Sequence, residues 1–315
     1  MAALLLAACA TAQPGSTPHA SGPSAHAGRW SAPPCAGTAS RHCPLGQRAD
    51  GPVMGNGDLG AMLGGPALSF WLTKNDYWNL ATEAADPDCR YGTYSQRLFV
   101  PPMDLDTGCT ITNGSDTRNS QSTAGGLTLT PLGDNVTASG WAATQHISNA
   151  TVDGAFTLTS GATLRTRSFI AAPVNVSSAA TISLLVTHVT VSGAGVILNV
   201  STGAGRPGGP GAVDPEGWGT TAQARTPAPR DGLRAGKELV VAMATRAIGP
   251  VGGGATMSLV PGDGVILVTA VASSIDLQGA DPTDAVSKAV RSATPSSIQA
   301  LEAAHVAWWA RYWAR

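Results

Sequence analysis

The residues with the most chemical content lie in one stretch. Gly51-Pro-Val-Met-Gly-Asn-Gly-Asp-Leu-Gly-Ala-Met-Leu-Gly-Gly65 is followed closely by Phe70-Trp-Leu-Thr-Lys-Asn-Asp-Tyr-Trp78. Its candidate groups are two carboxylates (Asp58, Asp76), two amides (Asn56, Asn75), one ammonium (Lys74) and the indole of Trp78. Carboxylates and amides hydrogen-bond hydroxyl groups, and a Trp face packs on the C–H side of a sugar ring, so the set suits a polyhydroxylated ligand. Glycosidic cleavage needs two carboxyl groups, about 5–5.5 Å apart for retention or about 6.5–9.5 Å for inversion. Asp58 and Asp76 could meet, because only a strand and its entering loop separate them. A plainer reading stands beside this one. Asp58 caps a turn, Asn75-Asp76 closes another, and Gly55, Gly57 and Gly60 supply the positive φ and close backbone approach of a tight turn entering a strand.

Other chemistries lack their residues. There is no G-x-x-x-x-G-K-[ST] run and no G-x-S-x-G elbow, so neither a phosphate loop nor a serine hydrolase is supported. No C-x₂-C pair occurs and His42 beside Cys43 has no partner at ligand spacing, which argues against zinc. No cofactor is expected. Asp104 and Asp106 alternate on one strand face, better suited to solvent than to Ca²⁺ or sugar. A formal net charge of −1 and a pI near 6.6 give no electrostatic footprint for nucleic acid. No apolar run approaches the ~18 residues of a membrane span.

The elements that must position these residues are mostly strands. With 38 Gly, 22 Pro and only 12% charged residues, the chain is no coiled coil or helical bundle. Residues 13–46 are rich in Pro, Ser, Ala and Gly without a period and read as a disordered leader, with order beginning near Gln47. Short β-prone runs then follow at Leu68–Thr73, Leu127–Pro131, Trp141–Ser148, Ala155–Thr159 and Thr163–Ala171. They continue at Thr181–Thr190, Val196–Ser201, Lys237–Ile248, Ala255–Val260 and Val265–Ser273. This many strands with no fixed repeat indicate a mainly β, antiparallel sandwich over residues 47–276. Residues 202–236 read as a flexible surface insertion, with Trp218 its one large apolar side chain and more an anchor than a sugar platform.

Residues 277–315 change character. A helix is predicted from Asp281-Pro282-Thr283 to about Ser292, and Thr294-Pro295 opens a second, with Ser296-Ser-Ile-Gln299 fitting a capping box. Leu301, His305, Trp308, Trp309, Tyr312 and Trp313 recur at three- and four-residue steps as one aromatic stripe that should not face water. On it, His305 reads as a packed, hydrogen-bonded histidine.

The N-terminus reads MAALLLAACATAQ, an apolar stretch ending in the A-x-A pattern Ala10-Thr11-Ala12, so residues 1–12 are taken as a signal peptide. Leu6-Ala7-Ala8-Cys9 also fits a lipobox, which would anchor the protein through Cys9. Five sequons, at Asn113, Asn135, Asn149, Asn175 and Asn199, favour a secreted glycoprotein. The four remaining cysteines, Cys35, Cys43, Cys89 and Cys109, suit two disulfides in that setting, with three connectivities open.

The runs V-M-G-N-G-D-L-G-A-M-L-G-G and S-F-W-L-T-K-N-D-Y-W resemble the N-terminal domain of six-hairpin glycoside hydrolases of the family 95 alpha-L-fucosidase type or its uncharacterised relatives. The C-terminal H-V-A-W-W-A-R-Y-W resembles the H-x-x-W-W-x-x-F-W helix that precedes the catalytic barrel in such proteins. The resemblance spans Gln47 to Arg315. It implies a galactose-mutarotase-like β-supersandwich, linker helices and an (α/α)6 barrel beyond them. It also implies a carbohydrate substrate, with Asn56, Asp58, Asn75, Asp76 and Trp78 in the first-domain motif. In that family the general acid and the water-activating group lie in the barrel, so no residue here inherits a catalytic role. This chain has Lys74-Asn75-Asp76 and Tyr77 where fucosidase-like members carry an Asn-Glu-Asp type of run, which leaves the sugar open. The expectation is therefore the non-catalytic portion of a secreted glycosidase, or alternatively a self-contained carbohydrate-binding protein.

Overall fold

The structure, a computed structural model, describes residues 26–33, 51–64, 68–79, 120–171, 182–204, 211–213, 219–225, 239–249 and 255–314. Two antiparallel sheets face each other. The larger has nine strands, in the order β1 (Ala27–Trp30), β6 (Val136–His146), β7 (Thr151–Leu158), β8 (Thr163–Ile170), β9 (Ser183–Ser192), β15 (Gly264–Ser273), β13 (Leu239–Ile248), β12 (Gly219–Arg225) and β11 (Ala212–Val213). The smaller has six: β14 (Thr256–Leu259), β10 (Val196–Ala204), β5 (Ser120–Pro131), β4 (Leu68–Asn79), β3 (Leu59–Gly64) and β2 (Val53–Gly55). Helices α1 (Thr283–Ser292) and α2 (Pro295–Trp313) follow. The mainly β, sandwich-like architecture expected from the alternating runs is the one observed.

Alternation explains which face each strand buries. In β8, Leu164, Thr166 and Ser168 point inward while Arg165 and Arg167 point out. Phe70, Leu72, Leu127, Leu129, Leu164, Leu185 and Leu198 close the core between the sheets. Trp141 meets Phe156 edge-on there, with ring centroids 5.7 Å apart. The larger sheet is apolar on both faces. Phe169, Val186, Ala242, Val268 and Ala270 form a second core on its outer side, covered by Val286 and Val290 of α1 and Ile298 of α2. This two-sided burial accounts for the nearly unbroken apolar run of β15.

The helices start and stop for local reasons. Asp281 Oδ1 accepts from the Thr283 amide (2.9 Å) and hydroxyl (2.7 Å) at the entry to α1. At its end, Arg246 of β13 donates through Nη1 to the Arg291 carbonyl, placing a cation on the negative end of the helix dipole. The capping box of α2 lies two residues earlier than expected. Thr294, with Pro295 after it, accepts from the Ser297 amide at 3.2 Å, and Ser297 Oγ accepts from the Thr294 amide at 2.9 Å. Proline's fixed φ sets the first turn, so the residue before it becomes the cap.

Three expectations change. β1 lies inside the Pro/Ser/Gly-rich leader, pairing Ala27 to Trp30 with His146 to Ala143, so a described strand precedes Gln47. An open sheet edge supplies backbone partners that composition does not reveal. Within residues 202–236, the end of β10, β11 and β12 are strands, and β12 pairs with β13 from Thr220↔Ala244 to Arg225↔Leu239. Finally, Asn75 and Asp76 belong to β4, whose ladder with β5 continues past irregularities to Trp78↔Gln121, and do not close a turn.

Residues 1–12, all four paired-cysteine candidates (Cys35, Cys43, Cys89, Cys109), Asp104, Asp106, Asn113, Asn175 and Trp218 lie outside the described residues. No helix among the described residues is long and apolar enough to cross a membrane. Of the described sequons, Asn135 is exposed in the β5–β6 turn. Asn149 lies between β6 and β7, where its Oδ1 accepts from Thr151 Oγ1 at 2.9 Å. Asn199 sits mid-strand in β10, opposite Thr130 and Thr256.

Candidate functional site: a buried lysine among three aspartates

The turn from β2 into β3 is built by Asn56 and Gly57. Asn56 Oδ1 accepts the amides of Asp58 (3.0 Å) and Leu59 (2.8 Å), and Gly57 takes φ +91°. The turn-capping role expected of Asp58 therefore falls to Asn56, and the Asp58 carboxylate is released for another task. Among Gly55, Gly57 and Gly60, only Gly57 uses the left-handed region.

Strand register then brings the next group in. Leu59 pairs with Lys74, and the Asn75 amide donates to the Asp58 carbonyl at 2.7 Å. Lys74 continues the inward face of Leu68, Phe70 and Leu72, so its side chain is fully buried. A buried ammonium must be paired, and three carboxylates surround it. Asp58 Oδ1 accepts directly from Nζ. Asp276 Oδ2 lies at 3.0 Å and Asp76 Oδ1 at 3.6 Å.

Two serines and an amide hold the carboxylates in place. Ser183 Oγ, at the start of β9, donates to Asp58 Oδ2 at 2.6 Å. Asn56 Nδ2 donates to Ser183 Oγ (3.3 Å) and to the Ala171 carbonyl (2.9 Å). At the end of β15, Ser273 Oγ donates to Asp76 Oδ2 and its amide donates to Asp276 Oδ2 at 2.8 Å. One end of the smaller sheet is thus bonded to the ends of β8, β9 and β15 in the larger.

Burial works to lower the affinity of Lys74 for its proton, but the Asp58 hydrogen bond and the charges of Asp76, Asp58 and Asp276 outweigh it and raise its pKa. Burial pushes Asp276 above the ordinary carboxyl range, and the Ser273 amide and Lys74 offset this only in part. With three carboxylates to one ammonium, the node favours an extra proton. Asp58 and Asp76 act here as counter-ions to one lysine.

Of the residues the sequence singles out, Asn56, Asp58, Lys74 and Asp76 converge. Asn75 is exposed on the other face of β4. Trp78 is placed by register opposite Gln121, two residues beyond Asp76 on the same strand. Ser183, Ser273 and Asp276 were missed. The run Ser273-Ser-Ile-Asp276 after an apolar strand is a turn signal, but nothing local points to a lysine 202 residues away. No group of three or more His, Cys, Asp or Glu side chains among the described residues is arranged to hold a metal ion.

The second chemically dense surface is the end of α2. Its first half is docked: Ile298 and His305 are buried, and His305 Nε2 bonds the Asn149 carbonyl at 2.7 Å, as the packed-histidine reading expects. Its last turns are not. Trp308 stacks on Tyr312 (5.5 Å, 10°) and Trp309 on Trp313 (6.1 Å, 28°), while Tyr312 and Trp313 stay 46% and 40% exposed. The sheets cover one part of the stripe and leave an aromatic ledge.

No model of a known protein family matches the chain, and no curated protein sequence matches it either.

Proposed function

We propose that this chain is the non-catalytic sandwich and linker portion of a secreted glycoside hydrolase acting on O-glycosidic bonds. In this reading a helical catalytic body of the same polypeptide packs on α2. The sandwich acts as its scaffold and lends part of the sugar cleft from the Asn56–Trp78 region. The observation that carries the reading is the aromatic ledge. Four large rings gather on the last turns of a helix whose first half is already docked, and such a surface favours a further apolar contact. The lysine node supports it from the other side. Asp58 and Asp76 are committed to a buried ammonium, so the acid and base of glycoside cleavage are assigned to the catalytic body.

The Trp308–Tyr312 stack, half-buried at Trp308 and exposed at Tyr312, also supports a second reading, a secreted carbohydrate-binding protein that lays a sugar ring on that platform. Two measurements on the 315-residue chain separate these readings. Assay against a panel of aryl glycosides is expected to give no turnover, and robust hydrolysis overturns the scaffold proposal. Glycan-array binding by a soluble monomer, abolished by Trp308→Ala, establishes the second reading in place of the first.

A further inference from the structure

The contact between α2 and the larger sheet is polar where the rest of the helix cover is apolar. Arg167 of β8 and His188 of β9 are register partners on the outer face of the sheet. Glu302 of α2 reaches down between them, with Oε1 3.4 Å from Arg167 Nε and Oε2 3.5 Å from His188 Nε2. His188 Nε2 is buried and makes no hydrogen bond, so the neutral ring packs there without an ion pair to Glu302. One turn further along α2, His305 is 1% exposed. It packs against Phe169 with ring centroids 4.8 Å apart, and Trp309 follows at 6.4 Å. Both imidazoles therefore sit in the seam between helix and sheet.

We infer that His188 and His305 form a clasp that holds α2 on the larger sheet when neutral, and that protonating them in acid releases the helix while the sandwich stays folded.

Among the described residues, the charges facing the pair are Glu302 from α2 and Arg167 from β8, and they act in opposite senses. Burial lowers the pKa of both histidines; Glu302 offsets this in part, while Arg167 adds to it. A histidine whose folded pKa is depressed binds fewer protons docked than released. Docking is at full strength above the ordinary value of 6.5 and weakens as the pH falls below it. The core between the sheets contains no histidine. At the lysine node, Asp276 takes up a proton more readily than an ordinary carboxyl, so its own contribution is kept in acid. The clasp needs nothing from the glycosidase reading and stands or falls apart from it.

Hydrogen–deuterium exchange of the full chain, corrected for intrinsic rates, tests the clasp between about pH 7.5 and about pH 5. Peptides from α2 are expected to lose protection in acid while those from β8 and β15 keep it. In the double variant His188→Gln, His305→Gln, α2 is expected to hold the same protection at both pH values. Should that variant fail to fold, His188→Gln alone is expected to show a smaller acid loss than the wild type. Unchanged α2 protection in acid, joint loss from helix and strands, or a variant loss equal to that of the wild type overturns the proposal.

Discussion

Lys74 Nζ lies 3.0 Å from Asp276 Oδ2, joining β4 of the smaller sheet to the turn after β15 of the larger. The two residues are 202 positions apart in the chain. Only Lys74 is fully buried; Asp58, Asp76 and Asp276 keep some contact with water. The pairing therefore costs less desolvation than a fully buried ion group, while the lysine itself has no alternative partner in solvent.

Removing the ammonium leaves the three carboxylates facing one another. Lys74→Met should destabilise the fold by about 3–5 kcal/mol, the range for breaking a buried pair from one side. Urea denaturation followed by circular dichroism checks this. A loss below about 1 kcal/mol would place the node among surface ion pairs.

The same node sets a pH dependence opposite to that of the histidine seam. Asp276 has a folded pKa above its ordinary 3.8, so its contribution is fully present below that value and is lost as the pH rises through the folded pKa. Lys74, also raised, contributes below 10.5 and loses this only in stronger alkali. Asp276→Asn should flatten the fall in stability on the alkaline side of 3.8. Denaturation midpoints of wild type and variant across that window test it, and parallel curves refute it.

Asn56 does two jobs with one side chain, accepting from two turn amides and donating to Ala171 and Ser183. Asn56→Ala should cost about 1–3 kcal/mol through unpaired groups. Asn56→Asp keeps the acceptor, loses the donors and adds a fourth carboxylate beside Asp58, so it should be at least as damaging at neutral pH and recover in acid. Thermal melts at two pH values distinguish the pair.

Gly125 of β5 lies where the two sheets approach closely. A Cβ there would sit 2.8 Å from the Gly203 carbonyl and collide with the Met243 side chain. The methionine can move but the β10 backbone cannot, so Gly125→Ala should cost about 1–3 kcal/mol by overpacking. A melting temperature within a degree of wild type would contradict this.

Much of the fold was legible because its signals are local. Alternating residues such as Leu164-Arg-Thr-Arg-Ser-Phe-Ile announce a strand from steric and solvation preferences within a few positions. Each of the ten runs read in this way contains a strand or part of one, and Thr294-Pro295 opens a helix as its residue types require. The polar stretch from Asn56 to Trp78 likewise stood out by composition alone. What composition could not say was the work each group does. Asn56 and not Asp58 caps the turn, because the Asp58 carboxylate has a stronger partner in Lys74.

Sequence by itself determined the β-rich architecture, the two helices and the residues dense in chemistry, since each depends on neighbours along the chain. Tertiary structure alone decided that β1 extends the sheet edge, that Asp276 and two serines complete the lysine node, and that the aromatic stripe divides between docked and exposed turns. Those outcomes follow from which surfaces meet when distant strands pair, and a buried charge or ring takes its partner from whatever the fold delivers.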